Sequence, residues 1–542
     1  MKKSILFTLY LIPVVLLIGF VATFSVNVPI DDEWRLASLF EKIAQGSVTF
    51  NDFWALHSNH RIVFPKLIIA VLVFASRWNI NYQLCLSIGL AGITFMTMYK
   101  LSSMQVKNVG DNLWHLANIL TCILLFSLVQ HENWLWGFQL AWFFVNLCFI
   151  AAVYALVSTH KLLPNIRISI AAIFCFIASF SLAQGLLSWF VAVPAVVALE
   201  GNRVQKKRRL IVWILLFAAT CAIYSIDYHP SRKTSIIALL NKPLVVIDYF
   251  LSLLGSPIVR SPGLSAFVGL VIFTTFGFFV WHFGKKILLT NLGLGGDGQD
   301  AHPTIDLGLL HQALPWLSIG LFSVLSALFI TAGRANFGAI QAIESSRYTT
   351  NSILLLIALV QLGQLFIRET KALLKFNYKL IFRGVSGLLI GIIIVNSQQA
   401  IVQTSSALIY KQGAQDCLQL INYLEPSKFF NFIPNTKKVY GYLDQPPTGD
   451  KLLKAAGWVV LPENRKQPNI VLLSVGDKKS FFANAYVNLD SPDIAKTLKS
   501  QLYNNARWAV DVSGGDLAIA QTDIKAWVYN PVDNQFVQLR GG

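Results

Sequence analysis

Apolar residues recur along residues 1–400 of this chain in run after run of about 20. At that length an α-helix crosses the ~30 Å hydrocarbon core of a bilayer. No other feature narrows the possible folds as much. In lipid the backbone must satisfy its own hydrogen bonds, so such runs fold as a bundle of transmembrane helices. Composition agrees: 55% of the 542 residues are hydrophobic and 13% are charged, against roughly 25% charged in soluble domains. A soluble globular enzyme, a disordered chain and a fibrous repeat are thereby excluded.

The formal net charge is +17. In a soluble protein that would suggest a nucleic-acid partner. Here Lys and Arg gather in short loops, where they fix membrane orientation, and no nucleic acid is expected. Five of the six cysteines (Cys85, Cys122, Cys148, Cys175 and Cys221) lie inside apolar runs, and only Cys417 lies outside. No CxxC occurs, so neither a disulfide framework nor a zinc site is expected.

The basic residues predict the topology. Lys2 and Lys3 precede an apolar run over 5–26, read as a first span with a cytoplasmic N-terminus. The run at 62–75 is short for a span and carries Pro65 and Lys66. Were it a span, Lys206, Lys207, Arg208 and Arg209 would fall outside, against the positive-inside rule. Residues 28–82 are therefore read as one large external loop with helices lying at the interface. Further spans are expected at about 83–101, 113–130, 135–157, a short hairpin around 181–185, 210–226, 264–283, 312–331, 349–367 and 384–400. The result is an all-α polytopic fold of about 11 transmembrane helices, C-terminus outside.

Residues 401–542 differ. Charge rises, long apolar runs stop, and short segments appear at 457–461, 469–474, 481–488, 508–512, 524–529 and 536–539, separated by Pro, Gly, Asn and Asp. This predicts a small extracytoplasmic, mainly-β domain, read as a sandwich, behind a helical linker near 404–424. The boundary between the two domains is placed at 400/401.

Acidic residues are scarce, so their positions inform. Asp31, Asp32 and Glu33 sit just beyond the first span, and Glu132 follows His131 at the next external turn. Carboxylates at a membrane boundary are either solvated interfacial charges or a general base and metal ligands. His57, His60 and Arg61 form a third polar cluster in the first loop, with Lys66 just beyond. Arg334, Arg347 and Tyr348 occupy the last external loop of the membrane part. Arginine at such a place either snorkels to lipid phosphates or forks onto a bound phosphate. Trp134 and Trp136 are either interfacial belt residues or a sugar-stacking platform. Other chemistry fails on the residues. The glycines at 293–298 lack a GxxxxGK[ST] pattern, and the last histidine is His311, which excludes a Ser-His-Asp triad in the C-terminal domain.

The arrangement over residues 1–400 resembles the GT-C superfamily of membrane glycosyltransferases. The matching features are the acidic motif Asp31-Asp32, a long first external loop and Glu132 in the next one. A closer likeness is to bacterial multipass proteins with an Asp-Asp start, an "N-x-H-R"-like loop, a "W-E-N-x-x-W-G-F-Q" turn and a late "S-R-Y". This chain has His57-Ser-Asn-His-Arg61, His131-Glu-Asn-Trp-Leu-Trp-Gly-Phe-Gln139 and Ser346-Arg-Tyr348.

The resemblance implies an inverting sugar transfer at the outer face of a bacterial plasma membrane. The donor would be a polyprenyl-phosphate sugar and the acceptor a hydroxyl of a glycan, lipid or protein. Asp31 or Asp32 would be the base. Arg61 and Arg347 would hold the leaving phosphate, with Arg334 or Lys66 in reserve. Glu132, counted with Asp31 and Asp32 as catalytic, would with His60 orient the acceptor or a divalent cation, and His57, His131, Trp134 and Tyr348 would help to orient the acceptor. Asp31, Asp32 and Glu132 are the residues that would hold Mg2+ or Mn2+, although nothing in the sequence demands a metal. The alternatives are a surface-polysaccharide polymerase or ligase and a glycolipid transporter. A transporter predicts ionisable residues at mid-membrane and inverted repeats, and neither is visible in the sequence.

Overall fold

The structure is a computed structural model. It describes residues 3–27, 29–57, 59–104, 112–158, 162–229, 242–291, 307–370, 378–418, 431–433, 438–445, 453–461, 468, 470–475, 480–512, 524–530 and 535–541. Helices come first. They are α1 (Lys3–Phe24), a 3-10 turn (Asp31–Leu36), α2 (Ala37–Ala44), α3 (Phe50–Trp54), α4 (Val63–Ser76), α5 (Ile80–Ser103), α6 (Asn112–Leu125), α7 (His131–Leu135), a 3-10 turn (Gly137–Gln139), α8 (Leu140–Val157) and α9 (Pro164–Ser179). There follow α10 (Leu187–Val191), α11 (Val193–Val197), α12 (Arg203–Ser225), α13 (Pro243–Gly255), α14 (Leu264–Asn291), α15 (Leu307–Arg334), α16 (Ala339–Glu344), a 3-10 turn (Ser346–Tyr348), α17 (Thr349–Thr370) and α18 (Tyr378–Leu418).

Among the described residues nine segments are long and apolar enough to cross a membrane: Ser4–Phe24, Ile80–Ser103, Asn112–Leu135, Gly137–Val157, Arg203–Ser225, Leu264–Lys285, Gln312–Phe337, Ser346–Thr370 and Arg383–Ser405. They coincide with nine of the expected spans, so the count is nine by this measure and not 11. The two that fall short are the hairpin helices. The α9 helix has 16 residues, about 24 Å of helix against a ~30 Å core. Beyond it the chain is divided at Ala192 into α10 and α11, just before Pro194, which has no N–H to continue a helical ladder. The α4 helix is also short, at 14 residues, in keeping with its place inside the first loop.

Hydrogen bonds fix which loops share an end of the bundle. The Phe64 N–H donates to Phe180 O at 3.3 Å, Arg61 Nε to Tyr224 O at 2.7 Å, and the Tyr228 hydroxyl to Asn59 O at 3.1 Å. The first loop, the α9–α10 turn and the C-terminal end of α12 therefore meet. The ring of His57 lies 4.7 Å from that of Phe138, and Glu132 is bonded to Ser346 and Arg347, which brings the second and last loops to the same end. The other end holds Trp114 on Ser102 O, the Arg167–Glu200 pair and the His282–Glu369 pair. This is the alternation that the basic residues predict.

Two glycines let α13 and α14 approach backbone to backbone. A Cβ at Gly255 would meet Ser265 O at 1.9 Å, and one at Gly269 would meet Leu251 O at 1.8 Å. Small residues at a helix contact are the usual means of close packing in lipid, where no hydrophobic force draws helices together.

The C-terminal strands are β1 (Asn431–Ile433), β2 (Gly441–Gln445), β3 (Leu453–Val459), β4 (Ile470–Val475), β5 (Ser480–Leu489), β6 (Arg507–Val512), β7 (Ile524–Asn530) and β8 (Gln535–Gln538), with a short helix α19 (Pro492–Thr497) between β5 and β6. They form one sheet in the order β1-β8-β7-β4-β5-β6-β3-β2. The pairs are antiparallel except β1–β8. The sheet is a half-barrel, not the expected sandwich. Alternate residues such as Val471, Leu473, Ala485, Val487 and Val528 point into its core, as period-two patterning requires. The expected boundary at 400/401 falls inside α18, which runs unbroken to Leu418. Strand β5 lies against the Asp31–Leu36 turn and α2, and α18 packs on β4 and β5.

Two buried cations hold the first loop. Lys66 Nζ donates to carbonyls at the end of α3: Asp52 O at 3.1 Å, Phe53 O at 3.2 Å and Ala55 O at 2.6 Å. Arg61 donates to Tyr224 O at 2.7 Å, Trp54 O at 2.7 Å and Ile226 O, with its guanidinium 4.4 Å from the Trp54 ring centre. Charge-assisted bonds to buried carbonyls contribute more than neutral ones, and breaking them leaves the partners bare. Arg61→Lys and Lys66→Met are each expected to lower unfolding stability by about 3 kcal/mol. Lys42→Ala, which removes the exposed Lys42–Asp52 pair, should cost less than about 1 kcal/mol. Thermal unfolding of the purified protein measures all three.

Candidate functional site

The segment 128–139 is the hub of the loop end. Its sequence explains its shape. Ser127 caps the turn Leu128–Gln130 by accepting from the Val129 N–H at 3.2 Å. The α7 helix is one turn long, and at Trp136 the backbone is extended before the next turn begins. Gly137 packs on α5 where a Cβ would stand 2.7 Å from Gln83 Oε1.

Glu132 and the last loop cap each other. Glu132 Oε2 accepts the Arg347 N–H at 2.8 Å, and the Glu132 N–H donates to Ser346 Oγ at 3.0 Å. A carboxylate at helix-start amides is electrostatically favoured. Asn133 Nδ2 adds bonds to Arg347 O at 2.8 Å and Thr350 Oγ1 at 2.5 Å, and Thr350 donates on to Gln130 Oε1. The sequence motifs around Glu132 and Arg347, more than 200 residues apart, thus form one rim.

Arginines gather around that rim. The Arg347 guanidinium lies 5.7 Å from the Trp136 ring centre and 5.3 Å from that of Tyr348. Burial raises the Tyr249 hydroxyl, while Arg334 and Arg347 both pull it down. That hydroxyl donates to Gln341 Oε1 at 2.5 Å. Burial lowers the Arg260 guanidinium and Glu132 supports its charge. Arg260 donates to Val129 O, and its Nε is buried without a hydrogen bond. One carboxylate among three arginines and a tyrosine hydroxyl leaves a positive surplus, the electrostatics of an anion site.

The acidic stretch lies across the hub. The Asp31–Leu36 turn packs on the Gly137–Gln139 turn. The side chains of Asp31 and Asp32, the expected base, lie outside the described residues. Glu33 is fully buried. Its Oε1 accepts from Gln83 Nε2 at 2.9 Å and Trp78 Nε1 at 3.4 Å. Trp78 reaches back because Arg77 and Trp78 hold left-handed backbone, φ 54° and 56°, between α4 and α5.

The remaining expected site residues divide. His57 is buried against Phe138 and joins the hub. His60 pairs with His57 through reciprocal backbone bonds. His131 begins α7 and is half-buried. Tyr348 is buried edge-on to Trp142 at 6.0 Å. Trp134 is wholly buried, stacked on Phe143 at 4.4 Å, with its Nε1 donating to Ser127 O. That ring has no open face for a sugar. Arg61 and Lys66 lie with α3 and α12, engaged by carbonyls, and do not join Arg334 and Arg347. Three contributors had no expectation attached to them from sequence: Tyr249, Arg260 and Gln83. Arg260 alone carried a signal, as a cation two residues before Pro262 at the end of the segment that precedes the next span.

Of the three residues expected to hold a divalent cation, Asp31 and Asp32 have side chains outside the described residues. No group of three His, Cys, Asp or Glu side chains comes together among the described residues. The Glu132 carboxylate faces an amide and the charge of Arg260, which repel a cation.

If the rim depends on mutual capping, Glu132→Gln should keep a weakened Arg347 N–H bond and lower stability by about 1 kcal/mol, whereas Glu132→Ala should cost about 2 kcal/mol. A Glu132→Ala, Ser346→Ala double-mutant cycle by thermal unfolding should show coupling above about 0.5 kcal/mol. Strict additivity would mean that the two caps are independent. No family model matches the chain, and a search of curated proteins finds no match either.

Proposed function

We propose that the protein is a membrane glycosyltransferase. It moves a sugar from a polyprenyl-phosphate donor to a hydroxyl acceptor at the membrane face on which the first loop lies, taken as the outer face of a bacterial plasma membrane. The observation that supports this most is the joining of Glu132, Arg347, Arg334, Arg260 and Tyr249 into one cationic rim beside the Asp31–Leu36 turn. A lipid-borne phosphate stays at the membrane boundary, and a positive rim there fits it.

In this reading Asp31 or Asp32 takes the proton from the acceptor hydroxyl. The acceptor oxygen bonds to the anomeric carbon as the bond from that carbon to the phosphate oxygen breaks, through an oxocarbenium-like state and with inversion. The phosphate leaves with the electron pair, and Arg334, Arg347 and the Tyr249 hydroxyl stabilise its charge. Glu132 holds Arg347 in place and does not act as the base. Arg61 and Lys66 build the loop.

Paired substitution of Asp31→Asn and Asp32→Asn should abolish transfer at unchanged protein level. Arg334→Ala with Arg347→Ala should raise the donor KM about 10- to 100-fold, the worth of one or two charge-assisted bonds. A mass profile of surface glycans and glycolipids in intact, deleted and substituted strains reads the first. Loss of one sugar unit in both altered strains supports the transferase, and a change only on deletion overturns it. A cysteine replacing Ser47 should react with an impermeant thiol reagent from outside; labelling near Lys207 instead would reverse the orientation.

A further inference from the structure

We propose that Glu33 is a positioning residue that locks the Asp31–Leu36 turn, and with it Asp31 and Asp32, onto α5 and the hub through its bonds to Gln83 and Trp78. This rests on the reading of Asp31 and Asp32 as the base.

The geometry distinguishes Glu33 from its neighbours in sequence. Its side chain is fully buried, so it touches no ligand from solvent. Both donors, Gln83 Nε2 and Trp78 Nε1, converge on Oε1. Oε2 has no hydrogen bond of good geometry, although the amides of Ile30 and Phe138 lie near the carboxyl group. Gln83 is itself fixed, with the Ser87 hydroxyl on its carbonyl and Gly137 pressed against its side chain. The bonds tie the turn to α5, 50 residues on, while Phe138 brings the hub alongside.

Burial raises the Glu33 carboxyl, and its bonds to Gln83 and Trp78 with the amides of Ile30 and Phe138 offset that in part. A buried carboxyl that loses these donors is left without water to replace them, so the turn and α5 are held together by the group that each would otherwise leave bare.

Hydrogen exchange of the peptide spanning residues 29–40, corrected for the chemical rate, tests the lock in the full-length protein in detergent. At one pH, Glu33→Ala should lower protection of that peptide at least tenfold, while Glu33→Gln, which keeps an acceptor oxygen for Gln83 and Trp78, should retain most of it. A Glu33→Ala protein as protected as native overturns the proposal. Sugar transfer measured alongside tests the positioning. Glu33→Ala should lower kcat by up to about 100-fold with donor KM unchanged, and Glu33→Gln should restore it. Full activity of Glu33→Ala overturns the positioning role while leaving the base assignment intact. Absence of any transfer by the native protein removes the base assignment, and exchange alone then decides the lock.

Discussion

A helix that ends at a membrane boundary leaves four carbonyls or four amides unpaired, and where protein covers them water cannot satisfy them. The loop end of this protein is built around that constraint. Lys66 sits on the last carbonyls of α3, Arg61 on those of α12, and Arg260 on Val129 O. Glu132 and Ser346 supply the complementary device at two helix starts. Each of these side chains is charged or polar and far in sequence from its partner or in another element. Capping and tertiary assembly are therefore one event: the loops find each other because each end lacks what the other carries.

The same device operates at the opposite end. Arg167 donates to Ala155 O and Leu156 O at the end of α8 while pairing with Glu200, and Arg209 reaches Glu200 O. The basic residues that set orientation are thus also helix caps. This is why a topology argued from charge agrees with one argued from hydrogen bonds.

That double use marks where sequence stops being legible. Hydropathy and basic residues predict nine of the segments and the sharing of one end by Asp31, His57, Glu132 and Arg347, because both signals are carried residue by residue. The short hairpin α9–α11 misleads, since its apolar content fits a span and only its length and Pro194 do not. Arg61, Lys66 and Arg347 look alike as cations in external loops. What separates them is the backbone beside them, carbonyl ends for the first two and a phenol and an indole for the third, and no local pattern records that. Glu33 likewise reads as one acid of three until Gln83 and Trp78 are seen to converge on it. In the C-terminal part the alternating segments predict six of the strands, but β1 and β2 are too short and too polar to stand out, and the order of strands rests on long-range pairing.

The two halves of the loop end differ in what they do to charge, and the hub keeps them apart. On one side Arg334 and Arg347 act on Tyr249, and Arg260 feels Glu132. On the other, the causes that act on Glu33 among the described residues are burial, Gln83, Trp78 and two backbone amides. Trp136 and Phe138, ring centres 6.4 Å apart, have Arg347 near one ring and His57 near the other. An arginine next to an acid would hold it ionised. In the proposed reading, with Asp31 or Asp32 as the base, a cation close to that acid but not paired with it leaves it able to take a proton, and the aromatic pair lies in the segment that meets both the Asp31–Leu36 turn and Arg347.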